Sequence, residues 1–383
     1  RTDLTAELTF VDEAPQLWQF PEPEDVTEGF MRNKIMNGDM RLDQRGNGAA
    51  FTISGEETEI TLDRWRARSS DVGAGSAFTI QQLTDSPPPG FSHYLRATTV
   101  DDIAVLAASD TNQIGQPIPY DSIVDLDWGR ATGRKATLSF SVRSPLTGTF
   151  SGVMLNPFTD LSYVFTYTIP TANQWVRRTI SIPAPPTSPP FGPNGDVGLH
   201  LIFSLGAGST FTTTSVNQWI QGNFRAQNGQ VSVVSTMGAT WDISGVQLEA
   251  GNATTFEYLP IAMQQEMAYR FTQVFRQSAD ANIIGSGVAV STTQALISVP
   301  LPVPLHRVPI NFISFISVSD FEVVRTGPTE ITATDVALLS PDQSLASNLE
   351  LLVTVAAGLT AGESVLLQVD ANALVIDAEL YDG

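Results

Sequence analysis

The chain has 383 residues, 42% of them apolar, and a formal net charge of −20 from 40 acidic against 20 basic side chains. That length suits two or three domains and the apolar content is enough for ordinary cores, while the acidic field repels nucleic acid and anionic membrane surfaces. There is no cysteine, which excludes disulfides, thiolate metal sites and cysteine nucleophiles.

No apolar run approaches the ~18–20 residues that span a bilayer, so no membrane insertion is expected. The opening "RTDLTAELTFVDEAPQ" lacks the basic start and apolar middle of a secretory signal. Residues 1–30 are acidic, punctuated by proline and without periodicity. They read as a frayed terminus or as an extended anchoring arm, and Leu17, Trp18 and Phe20 favour the arm. Each of those side chains is worth roughly 1.5–3 kcal/mol if fully buried on another chain.

From about residue 31 the pattern is that of strands. "ATLSFSVRS" alternates Leu138, Phe140 and Val142 with Thr137, Ser139, Ser141 and Arg143, the mark of a half-buried antiparallel strand. "QWVRRTISIP" repeats it with Val176, Ile180 and Ile182, whereas "GLHLIFSLG" is continuously apolar, as expected of a strand covered on both faces. Proline marks two loops, "DSPPPGFS" and "APPTSPPFGPNG". In "ATWDISGVQLEAG", Trp241 and Ile243 share one parity while Val246 and Leu248 have the other, so a β-bulge is predicted at Ser244–Gly245.

A helical stretch follows, with Met267, Phe271, Val274 and Phe275 at the spacing of a single apolar face. So short a helix is marginal in isolation and has to pack on a sheet or on symmetry mates. Strands then resume. Leu349, Leu351, Val353 and Val355 share a face, followed by Val365, Leu367 and Val369, then by Leu374, Ile376, Ala378 and Leu380. About seven such runs predict a second, smaller sandwich, with the helix as a spacer.

Catalytic groups are nearly absent. His93, His200 and His306 lie in separate segments without acids at metal-ligand spacing, and no metalloprotease, nucleophile-elbow or phosphate-loop pattern is present. His200, inside an apolar strand, reads as a satisfied core residue. The acids Asp101, Asp102, Asp125 and Asp127, and the loop pair Asn194 and Asp196, read first as solvated turns. No cofactor is expected, and a structural Ca²⁺ on those loop oxygens is the one metal the chain suggests. Trp65 and Trp241 have core contexts. Trp128, Trp175 and Trp219 border turns and are the candidate glycan-stacking residues.

Four stretches, "NKIMNGDMRLDQRG", "LDRWRAR", "GRKATLSFSVRS" and "GATWDISGVQLEAGNATTFEYLPIAMQQEMAYRF", together resemble a family of phage virion proteins, tail fibres or tail appendages. Members carry a jelly roll similar to carbohydrate-binding modules, followed by a small distal β-domain. The resemblance covers roughly residues 33–383 and is most specific over 236–271. It implies that the first stretch is the opening strand, with Leu42–Asp43 where an aromatic is common, and that "VQLEAG" with "TTFEY" closes the jelly roll.

The expected fold is therefore all-β. An extended arm spans 1–30, a jelly-roll β-sandwich 31–258, a linking helix 259–277 and a smaller β-sandwich 278–383. The resemblance implies a non-enzymatic structural subunit on the particle exterior, a homotrimer contacting other virion proteins and host surface glycan. A head fibre or capsid decoration protein is the alternative, and a polysaccharide-binding lectin or depolymerase a further one.

Overall fold

The computed structural model describes residues 31–54, 58–69, 76–187, 191, 197–275, 282–306, 313–314, 317–325, 329–339, 347–369 and 374–378. The arm residues Leu17, Trp18 and Phe20, the loop residues Asn194 and Asp196, and Leu380 lie outside them.

Fifteen strands among the described residues precede one helix. They are β1 (Phe51–Ser54), β2 (Thr58–Ile60), β3 (Arg66–Ser69), β4 (Ser76–Leu83), β5 (Tyr94–Thr99), β6 (Thr111–Pro119), β7 (Ala136–Arg143), β8 (Gly148–Asn156), β9 (Leu161–Ile169), β10 (Val176–Ile182), β11 (Val197–Ala207), β12 (Thr212–Thr213), β13 (Trp219–Gln221), β14 (Ala226–Gln227) and β15 (Thr240–Ala250).

A six-stranded sheet, ordered β1-β4-β5-β15-β7-β10, faces a seven-stranded sheet, ordered β13-β9-β8-β11-β6-β3-β2. The two make a jelly-roll sandwich. Its core takes alternate residues from each sheet: Leu138, Phe140, Val142, Trp241 and Ile243 from the first, Phe150, Phe165, Leu201 and Phe203 from the second. Trp65 and Trp241 are both fully buried, as their contexts predict.

The predicted bulge is present. The β15–β7 register shifts between Ser244 and Gln247, and Gly245 sits at φ +64. One extra residue lets Trp241 and Ile243, then Val246 and Leu248, all reach the core despite opposite parity. Strand β11 is buried on both faces, again as expected. Its outward Ile202 joins Val153, Leu155 and Val164 in a second small cluster, capped by Val216 and Phe224.

Three expectations are corrected. First, β7 is not half-buried, because its polar face, Thr137, Ser139 and Ser141, is covered as well. Second, residues 33–50 contain no strand. Polar side chains hold this segment instead: the Asn37 amide receives Leu42 N–H and donates to the Leu42 and Asp63 carbonyls, and the Asp43 carboxylate receives Gly46 and Gly48 N–H.

Third, the helix α1 (Ile261–Tyr269) ends before the predicted apolar face is complete. Val274 and Phe275 belong instead to strand β16 (Thr272–Phe275). The run "TQVF" is rich in strand-forming residues, and four ladder pairs with a later strand outweigh two further turns of a marginal helix. Gln264 and Ala268 are the buried helix residues, and Met267 is half-buried.

The chain continues through β17 (Asn282–Ala289), β18 (Gln294–Pro300), β19 (Ile313–Ser314), β20 (Phe321–Arg325), β21 (Glu330–Leu338), β22 (Asn348–Val355), β23 (Ser364–Val369) and β24 (Leu374–Asp377). The strand runs predict a second sandwich. Six of them instead close into a barrel, β17-β18-β22-β21-β20-β23, while β16-β24-β19 form a small separate sheet. The core face is as read from the sequence: Leu349, Leu351, Val353, Val355, Val365, Leu367, Val369, Leu374, Ile376 and Ala378 are all buried. Closure removes the open edges that a six-stranded sheet would leave.

Phe271 lies at the joint between the two bodies. It is fully buried beside Val197 and Met36, with the Arg64 guanidinium 3.7 Å above its ring and the His306 ring stacked at 5.1 Å. Arg45 donates to Thr272 Oγ1 (2.6 Å) and pairs with Asp377 (2.9 Å), clasping the jelly roll to β16 and β24.

Candidate functional site

A groove of about 500 Å³ lies over the polar face of the six-stranded sheet, a size typical of ligand sites. Its floor is Ser141 of β7 and Arg177 of β10. One wall is Pro88, Pro89 and Phe91 from the β4–β5 loop, and the other is Thr254, Thr255, Phe256 and Tyr258 from the segment after β15. Trp175, immediately before β10, also lines it.

Local sequence explains each wall. In "DSPPPGFS" the prolines restrict the backbone, and Gly90 takes φ +87, so the turn closes with Phe91 N–H on the Pro88 carbonyl (3.0 Å). The second wall hangs on side chains of β15. The Glu249 carboxylate receives Thr254 N–H (2.9 Å) and Thr254 Oγ1–H (2.6 Å), and Gln247 Oε1 receives Glu257 N–H (2.8 Å). The walls meet through an aromatic trio. Phe91 and Phe256 are edge-to-face at 5.0 Å, Phe256 and Tyr258 at 4.9 Å, and the Tyr258 hydroxyl donates to the Gly90 carbonyl (2.7 Å). Tyr258 is still 55% exposed, so a large part of its ring remains open for a ligand.

The bulge at Gly245 makes this packing possible. A Cβ there would lie 2.4 Å from the Phe91 ring and 3.0 Å from Arg177 Nη1. The glycine carbonyl instead accepts Arg177 Nη1–H (2.8 Å), and Ser139 Oγ accepts from Nη2 (2.7 Å).

Beside the groove is a buried charge cluster. Asp242 is held by Arg96, through Oδ1 (2.7 Å) and Oδ2 (2.9 Å), and by Arg143 (2.8 Å). The Arg143 guanidinium lies 4.6 Å from the Trp175 ring, and Trp175 Nε1–H donates to the Ser86 carbonyl (2.9 Å), so the indole is fixed in place. Tyr94 donates to Asp85 (2.5 Å). Burial, with that hydrogen bond second, pushes the Tyr94 phenol up to about 12, while the same bond holds the Asp85 carboxyl below its usual value. Burial also lowers the pKa of Arg177, with Tyr258 and Glu249 opposing the shift.

Among the described residues, no carboxylate lines the groove. What it offers is apolar ring surface, hydroxyls and one guanidinium, which suits stacking and hydrogen bonding.

Of the three candidate tryptophans, Trp175 is at the groove. Trp128, expected at an exposed turn, is instead buried to 5% exposure, its Nε1–H on the Arg134 carbonyl and its ring edge-to-face with Phe191 and Trp219. Trp219 is half-buried against the same core, donating to the Pro183 carbonyl. The fold does not bring these two to the groove.

Asp125 pairs with Lys34 (2.7 Å) and Asp127 with Arg130 (3.3 Å), while Asp101 and Asp102 are exposed. Among the described residues, no three His, Asp or Glu side chains converge as metal ligands, and no helix is long and apolar enough to cross a membrane. His200 is buried on the outer face of the seven-stranded sheet, in a small cavity with Arg66, Arg68 and Arg225.

Sequence reasoning missed Phe91, Arg177, Phe256 and Tyr258. The available signal was bulky aromatics inside Pro/Gly and Thr-rich connections, where no strand period assigns them to a core.

No family model matches the chain, and no curated protein matches it. Among solved structures it is similar to a tailspike protein enzymatically active domain of bacteriophage CBA120 (15% identity, TM-score 0.30, 57% of this chain and 21% of that one). It is also similar to a family 11 carbohydrate-binding module of a Clostridium thermocellum cellulosomal cellulase (12%, 0.24, 54% and 96%). A third is a xylanase 10B from Clostridium thermocellum with its carbohydrate-binding and catalytic modules (14%, 0.28, 58% and 33%). The chain thus spans about a fifth of the tailspike domain and a third of the xylanase.

Proposed function

We propose that this chain is a non-catalytic, glycan-contacting structural subunit of a phage particle, a tail fibre or tail appendage. In this reading its jelly roll holds host surface glycan in the Trp175 groove, the arm at 1–30 anchors it, and copies assemble as a homotrimer. The observation that carries glycan contact is the groove itself: a site of about 500 Å³ between two aromatic walls over a polar sheet face. Sugar rings present apolar C–H faces to aromatics and hydroxyls to polar groups, and the groove offers both kinds of partner. The virion setting rests on the sequence resemblance and on the order of modules.

Fluorescently labelled protein on an array of bacterial surface polysaccharides tests glycan contact. Binding that Trp175→Ala weakens about tenfold or more supports the reading. Binding to nothing on the array, or binding indifferent to that substitution, overturns it. Immunogold labelling of intact particles tests the setting: label on the tail supports an appendage, label over the head replaces it with a capsid decoration protein, and unlabelled particles overturn both.

A further inference from the structure

We infer that the Trp175 groove selects acidic glycans, with Arg177 as the group that receives a sugar carboxylate. This rests on the glycan-contacting reading and adds its substrate class.

Arg177 is an exposed residue of β10 that lines the groove, and in a chain with twice as many acids as bases a cation standing open to a ligand is notable. On this sheet face Arg96 and Arg143 share Asp242, and Arg32 lies 3.5 Å from Glu249. Asp85 is engaged by the Tyr94 hydroxyl, and the Glu257 carboxylate receives the Met31 and Asn33 N–H groups. Among the described residues, Arg177 forms no ion pair. Its hydrogen bonds go to two neutral acceptors, the Gly245 carbonyl and Ser139 Oγ. Those two bonds hold the guanidinium still at the floor of the groove, and a guanidinium has five N–H donors, so further donors remain for a ligand.

The surroundings narrow the ligand. Pro88, Pro89, Phe91, Trp175, Phe256 and Tyr258 give apolar and ring surface. A sugar acid places a planar carboxylate on a ring, so one residue can stack while its acid meets the fork. A phosphomonoester, with about −1.5 to −2 charge, calls for a second free cation, and the lining supplies only Arg177. The protein's overall −20 charge works against anionic ligands at long range, so the selectivity has to be local and carried by this residue.

The test is titration calorimetry with tetragalacturonate, a hyaluronan hexasaccharide and an alginate oligomer, each beside its carboxyl-reduced counterpart. These pairs differ only in the acid. The expected result is binding of at least one acidic oligomer about tenfold or more tighter than its reduced form, weakening with added salt. Arg177→Gln should erase that preference, with the melting temperature confirming the fold. Arg177→Lys should restore only part of it, since an ammonium lacks the fork.

Equal binding of acidic and reduced oligomers that still depends on Trp175 overturns the acid selectivity and leaves the glycan reading standing. Preference unchanged in Arg177→Gln overturns the role of Arg177. Absence of binding by all the oligomers overturns the acid inference, and if the polysaccharide array is also blank the glycan reading falls with it.

Discussion

The jelly roll and the barrel bury their strands in different ways. In the barrel, β22 alternates buried and half-buried residues along its whole length, and β18 nearly does. In the jelly roll, β7, β11 and β15 are buried almost throughout. The barrel is thus a core inside one closed layer, its outer face open to solvent and carrying exposed Ile283, Val288 and Leu366. The jelly roll carries a third layer, in which loops and the segment after β15 fold over the outer face of the six-stranded sheet, and residues 212–227 over that of the other. Only such a covering layer leaves a groove between itself and a sheet. The groove lies where that covering layer meets β7 and β10.

If the two bodies have independent cores, damage to one should be read separately from the other. Trp241→Ala removes a fully buried indole whose Nε1–H donates to Tyr167 (3.0 Å), a loss of about 3–5 kcal/mol. Calorimetry should show the jelly-roll transition falling by many degrees while the barrel transition stays. A uniform shift of one joint transition would mean that the two bodies unfold as one unit.

The joint is the next lever. Phe271→Ala takes the ring from beneath Arg64 and beside His306, at a cost of about 3 kcal/mol, and should speed proteolytic separation of the two bodies. Arg45→Ala should do the same more weakly.

The charge clusters sharpen the contrast. Asp242→Ala leaves Arg96 and Arg143 facing each other without their carboxylate and should cost about 3 kcal/mol in urea unfolding. Its barrel counterpart, Arg325–Glu363, is solvated, and Glu363→Gln should leave the unfolding midpoint in place. Gly245→Ala should cost about 1–2 kcal/mol through its left-handed backbone. It should also weaken glycan binding, because the new Cβ strikes Phe91.

The smallest effect is on pH dependence. Tyr94 has a folded pKa of about 12, above the usual phenol value of about 10. Its contribution is therefore complete below pH 10 and fades as pH rises toward 12. Asp85 has a lowered folded pKa, so its share is present above the ordinary carboxylate range and fades as acid protonates it. Tyr94→Phe should flatten both slopes, read as melting temperature against pH. Some alkaline slope should persist, because burial also raises the Tyr167 phenol.

Sequence alone specified the all-β class, the inward face of β7, β15, β22 and β23, the bulge at Ser244–Gly245 and the burial of Trp65 and Trp241. These are local matters: a strand's period of two reports its core face within a few residues, and a parity switch reports an extra residue. Tertiary structure decided the rest. It truncated the helix at Tyr269, because β24, about a hundred residues on, offers β16 a ladder. It buried Trp128 and left Trp175 at a groove, because a turn residue's exposure depends on what packs over the turn. It brought Tyr258 to Gly90, 168 residues away in the chain, and set the Arg177 guanidinium against the Gly245 carbonyl and Ser139. A pattern of period two says which way a side chain points, but what waits there is fixed by contacts between segments that carry no periodic signal for one another.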